Sequence, residues 1–193
     1  MTISIDDQEE YKKDFDSYGN WPVSWYETSE ELAAATKLLE QPVIDYFEDN
    51  RDSDHPGRLI LAPYYMMSGY LLECLLKGIL VATGYKCVED GKFTKQVNGH
   101  TLIDLAKKAK ISFTPPEELI LKLLSAHTVW AGRYPIPKNW NNMGIEIGTN
   151  EAVTIGYEKY DIPLIKNLIF RAQEKLDLLM KEGELFLRDK SRE

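Results

Sequence analysis

From Leu59 to Ala82 the chain carries 24 residues that are almost all apolar. A run of that length has to be hidden from water, either in a bilayer or in a protein core. Glu73 and Lys77 decide between the two. A charge near a bilayer centre costs about 2.5–3.5 kcal/mol, so two of them in one run argue against spanning. The stretch is therefore expected as a helix over about 58–83, apolar nearly all round and central to a bundle. A composition of 44% hydrophobic and 28% charged residues suits a soluble globular chain. With 193 residues it can build a real core, as one domain or at most two small ones.

Cap and turn signals divide the rest. Residues 1–27 are acidic and rich in rings (Tyr11, Phe15, Tyr18, Trp21, Trp25, Tyr26) without a clean period. They are expected to form an arm packed onto the body. Thr28-x-x-Glu31 reads as a capping box, opening a helix over about 29–49 that Pro42 should kink or break. "EDNRDSDHPG" is a polar turn. Asp90-Gly91 between two short alternating runs signals a hairpin within 85–97.

A helix over about 101–110 should bury Leu102, Leu105 and Ala106. Thr114-Pro-Pro-Glu117 starts another, over about 115–131. "IEIGTNEAVTI" (145–155) is a second candidate hairpin. Asp161 caps a last helix with a stripe of Ile165, Leu168, Ile169, Ala172, Leu176 and Leu179, ending near Gly183. The expected fold is all-α: an up-and-down bundle of about five helices with one or two small β-hairpin insertions. Its divisions are an arm (1–27), a helical domain (28–183) and a tail (184–193).

Net charge is −8. That disfavours a surface coated for nucleic acid, which needs clustered Lys and Arg, but leaves room for a local basic site. Cys74 and Cys87 form no CxxC pair, and with His55, His100 and His127 they give no zinc-ligand spacing. No cofactor is expected. Two free thiols and an N-terminus without a basic start or apolar run fit a cytoplasmic protein with no membrane partner. No Gly-rich phosphate loop, GxSxG or HExxH occurs.

Glu73 and Lys77, one helical turn apart, can pair inside the core, where an unpaired charge is costly. A carboxylate has room for a further donor. Arg133, at the end of an apolar helix in "WAGRYPIPKN", is the candidate. It is either a structural bolt or an anion site oriented by Glu73. His100, in "NGHTL", is either a loop anchor or an acid–base group at a helix start. His127 shares a face with Ile120, Leu124 and Ala131, which is the position of a satisfied core histidine. His55 sits in a polar turn and is expected to be exposed.

Taken in order, the Glu73/Lys77 helix, "GHTLIDLAKKA" (99–109) and "LLSAHTVWAGRYP" (123–135) resemble the HEPN superfamily over about residues 30–180. The resemblance implies a helical bundle, usually dimeric. It also implies bacterial toxin–antitoxin, abortive-infection or phage-defence settings. Many such proteins are metal-independent ribonucleases. Others bind RNA or a partner protein without catalysis. Their catalytic signature is an arginine followed by four to six residues and then a histidine. Arg133 stands at the arginine's position, but Lys138, Asn139 and Trp140 occupy the places of the histidine.

The expected function is therefore an atypical or non-catalytic HEPN-like domain, a homodimer in a bacterial stress or phage-defence system, binding RNA, a nucleotide or a partner protein. Its contact residues would be Lys77, Lys107, Lys108, Arg133, Tyr134 and Lys138. The alternative is a metal-independent endoribonuclease using Arg133, His100 and Glu73, with Tyr134 assisting. RNA cleavage through the 2′-hydroxyl needs a base, an acid and a cation, and Arg133 supplies only the cation. A third reading is a pure protein-interaction module built on the aromatic arm and the acidic surface.

Overall fold

The computed structural model describes residues 5–49, 51–97, 99–147, 151–154 and 156–190. The apolar run forms α3 (Leu61–Ala82), entered through a 3-10 turn at Pro56–Ile60. Leu72, Leu75, Leu76, Ile79 and Leu80 on it are fully enclosed. Around it pack α2 (Pro22–Glu48), α4 (Leu102–Lys108), α5 (Pro115–Ala126) and α6 (Asp161–Lys190). Burying each such side chain contributes about 1.5–3 kcal/mol, so α3 is the axis of the core. By length and apolarity alone it could cross a membrane. Its place here, ringed by other helices, is that of a core helix and is compatible with a soluble protein.

The architecture is an all-α bundle with small β insertions, with six α-helices among the described residues rather than about five. The additional one is α1 (Ile5–Gly19), in the stretch expected only as an arm packed onto the body, for which no helix was read. α2 also begins earlier than Thr28, with Pro22 at its first position, where a missing N–H costs nothing. Thr28 caps no helix end. Its hydroxyl donates to the Ser24 carbonyl one turn back, at 2.9 Å. Pro42 lies inside α2 and does not end it. At the other end, α6 continues past Gly183 to Lys190.

α5 starts at the capping box read from sequence: Thr114 accepts from Glu117 N–H, and the Glu117 carboxylate accepts from Thr114 N–H. On α6, Ile165, Leu168, Ala172 and Leu176 are fully buried, as the stripe requires.

Both hairpins form. β1 (Val88–Glu89) pairs antiparallel with β2 (Lys92–Phe93). Asp90 and Gly91 both have positive φ, 55° and 73°, which is the twist of a two-residue type I′ turn. β3 (Gly144–Ile147) pairs with β4 (Glu151–Thr154); the turn between them lies outside the described residues. The first hairpin is tied to the α1–α2 corner. Asn20 donates to Val88 O at 2.8 Å and accepts from Cys87 N–H at 2.8 Å. Gly91 N–H donates to Asp16 at 2.8 Å.

Candidate functional site

Glu73 lies midway along α3 with 9% of its side chain exposed. One turn on, Lys77 donates to Oε1 at 2.7 Å. The i, i+4 spacing brings the two together, and the surrounding helices close over them. The ammonium also faces the rings of Phe93 at 5.2 Å and Trp25 at 5.7 Å. Those rings replace part of the hydration that a buried cation loses.

The second oxygen, Oε2, meets His100 Nδ1 at 2.8 Å. An ionised carboxylate only accepts, so Nδ1 carries the proton and donates. The ring is half exposed and its Nε2 has no partner among the described residues. Gly99, at φ +154°, takes a conformation that side chains disfavour and delivers His100 just ahead of α4. The Ser125 hydroxyl on α5 accepts from Leu102 N–H at 3.0 Å, which holds that helix start in place.

The donor expected for Glu73 was Arg133, and that expectation is corrected. α5 runs into a π turn at His127–Ala131. Arg133 folds back on it, its Nη2 donating to Thr128 O at 2.9 Å and Val129 O at 2.8 Å. Packing explains the placement. A Cβ on Gly132 would stand 2.6 Å from Met66 Cβ, and one on Gly69 would stand 2.6 Å from Thr128 Cγ2. The end of α5 therefore lies against the first half of α3. From Met66, the residue that Gly132 meets, Glu73 is two turns further along, about 10 Å at 1.5 Å per residue. No hydrogen bond joins Arg133 to Glu73 or to His100. Within this chain the Arg133–His100–Glu73 arrangement expected for an endoribonuclease is not assembled; only His100 and Glu73 meet.

Arg133 is nonetheless an open cation. It is exposed and lies over the Tyr134 ring at 5.5 Å. Nη1 and Nε have no partner among the described residues. Tyr134 and Trp140 are 56% and 80% exposed, with Lys138 exposed between them. From residue 119 to residue 145 the chain has no Asp or Glu, although it holds 31 acids in all. Lys107 and Lys108 are elsewhere, in the last turn of α4, and Lys108 donates to the Gln96 carbonyl.

His127 is the core histidine that its apolar face predicts. It is fully buried, with Nδ1–H donating to Leu123 O at 2.8 Å and Nε2 accepting from the Tyr157 hydroxyl at 3.2 Å. Burial holds it below its ordinary pKa and therefore neutral. His55, expected to be merely exposed, has 18% of its side chain exposed and accepts from Gly57 N–H at 3.0 Å. It caps the 3-10 turn. Burial pushes the Cys74 and Cys87 thiols up to about 11, so neither is a ready nucleophile at neutral pH. Among the described residues, no group of three or more His, Cys, Asp or Glu side chains is placed to hold a metal ion.

Sequence reading missed Trp25 and Phe93 as partners of Lys77, because the contact depends on how the first hairpin docks. It also left Trp140 out of the contact residues, for which the acid-free stretch was a readable signal. Comparison with protein-family models, with curated proteins and with solved structures finds no match to this chain.

Proposed function

We propose that this chain is an atypical, non-catalytic HEPN-like domain that binds single-stranded RNA without cutting it, in the dimeric bacterial stress or phage-defence setting that the resemblance implies. The observation that carries the reading is Arg133. Its Nη2 is held by two carbonyls, so the guanidinium is fixed in place, while Nη1 and Nε remain open. A pre-oriented guanidinium suits a phosphate oxygen. It lies over the exposed Tyr134 ring, and exposed Lys138 and Trp140 follow within the next seven residues, in a stretch without acids. Cations interleaved with exposed rings are the pattern by which single strands are held, bases stacking and phosphates paired.

The test is fluorescence anisotropy of labelled single-stranded oligouridine. Trp140→Ala is expected to lose about 1–3 kcal/mol of binding through stacking. Arg133→Ala is expected to weaken binding and to flatten the salt dependence by about 0.7 in log–log slope, the signature of one phosphate contact on a single strand. Because the side chain is exposed, Arg133→Ala should change folding stability by no more than about 0.5–1 kcal/mol. A cooperative unfolding transition lost on that substitution would make Arg133 a structural bolt and end the RNA reading.

The half-exposed His100 on buried Glu73 favours the second reading, an endoribonuclease, since a carboxylate-oriented histidine is a ready base. Total RNA incubated in EDTA is expected to stay intact. Cleavage by the wild type that disappears in both His100→Ala and Arg133→Ala would replace the binding reading with the enzyme.

A further inference from the structure

α1 carries a feature that the RNA reading does not use. Tyr11, Phe15 and Tyr18 follow one another at i, i+4 and i+7, so they share one face of the helix. They are 64%, 44% and 62% exposed. Trp21, just beyond the helix, is 49% exposed and continues the row, its ring edge-on to Tyr18 at 6.2 Å. Scattered exposed rings need no explanation, but a contiguous row of this kind marks a contact surface.

The row borders a recess of about 240 Å³ lined by Phe15, Tyr18, Trp25, Thr28, Val88 and Phe93. Small-molecule sites are larger, about 300–1,000 Å³. A recess of this size accepts one apolar side chain of a larger partner, as interface anchors do. The same helix holds six acids against two lysines, a net charge of −4. Glu10 and Asp14 form the ridge beside the aromatic row, and with Glu9 they make no ion pair among the described residues. That charge excludes a nucleic acid or an anionic membrane as the occupant and selects a cationic one.

We propose that this face docks a basic amphipathic segment of another protein, with one apolar side chain seated in the recess and its Lys or Arg residues set against the Glu10–Asp14 ridge. The site is separate from the Arg133 surface. The face acts through the helix-and-groove logic in which apolar anchors supply affinity and charges supply partner choice.

The experiment uses the full chain and three labelled model peptides read by anisotropy: KLLKKLLKKLLK, the same peptide with Gln for Leu, and the same peptide with Glu for Lys. The first is expected to bind at least tenfold more tightly than either of the others. Thr28→Phe, which fills the recess, and Tyr11→Ser with Tyr18→Ser, which strip the row, are each expected to weaken it at least tenfold. Thermal unfolding of the variants confirms that they fold. Equal binding of the Gln peptide would reduce the contact to bulk charge and overturn the proposal. So would wild-type binding unaffected by Thr28→Phe. Light scattering of the wild type is expected to be unchanged by the Tyr11/Tyr18 substitutions. Dissociation of an oligomer on those substitutions would make a second copy the occupant and also overturn it. Oligouridine binding should survive both variants, which keeps this result separate from the RNA reading.

Discussion

Glu117 and Glu73 are both shut in by helix packing, with 3% and 9% of their side chains exposed. Glu117 is surrounded by structural partners on every side. Its Oε2 accepts from Thr114 N–H at 2.8 Å and the Thr114 hydroxyl at 3.1 Å. Its Oε1 accepts from Asn167 at 3.0 Å and from Arg171. Arg171 goes on to the Ser112 carbonyl at 2.6 Å. The network closes on itself and bolts the start of α5 to α6. Glu73 has two side-chain partners: Lys77, buried, and His100, half open. One network is only a fastener, whereas the other has an exit to solvent through a histidine nitrogen. The Arg–carboxylate bolt expected at Arg133 does exist in this fold, but between Glu117 and Arg171.

The comparison can be tested by substitution, most severely at Lys77. Lys77→Met leaves the Glu73 carboxylate without its buried cation and is expected to cost about 3–5 kcal/mol. Adding Glu73→Leu should recover most of that, since a buried pair replaced by apolar residues is often neutral. Urea denaturation of the singles and the double measures both. A cost under about 1 kcal/mol for Lys77→Met would mean that water reaches Glu73, and the two carboxylates would not be comparable.

Arg171→Ala should cost less, about 1–3 kcal/mol, because Thr114 and Asn167 still serve Glu117. Its acid signature is distinctive. Burial works to raise the Glu117 pKa, but the hydrogen bonds from Thr114 and the Arg171 charge outweigh it, holding the carboxyl below its ordinary 4.5. The unfolded chain therefore takes up this proton first. The stabilisation is complete above 4.5 and is lost as pH falls from there through the folded value. Midpoints followed through the acid range should show a slope that Arg171→Ala flattens.

The smallest effect belongs to His100→Ala, about 0.5–1 kcal/mol for a half-exposed contact. A loss equal to that of Lys77→Met would make His100 a bolt as well, and the distinction between the two carboxylates would disappear.

Local chemistry made much of this molecule legible before folding. The run containing Glu73 and Lys77, the Thr114–Glu117 box, the Asp90-Gly91 turn and the α6 stripe each act over a few residues, and each appears where it was read. Local signals also misled. Thr28 and Glu31 have the spacing of a helix start, but Pro22 six residues earlier opens the same helix, leaving Thr28 to bond back to Ser24. Hydrophobic period alone missed α1, whose rings face outward and whose other positions are mostly charged.

What the sequence alone determined is which groups must be paired. A carboxylate and an ammonium on an all-apolar helix cannot be buried singly, and that holds whatever surrounds them. Only the tertiary structure decided the partners across the chain. Gly69 and Gly132 let α5 press against the first half of α3, so Arg133 reaches its own helix end instead of Glu73. Gly99 and the start of α4 bring His100 there instead. Hydrogen bonds act over about 3 Å. A helix displaced by two turns along its neighbour changes every such partner while leaving each local signal intact.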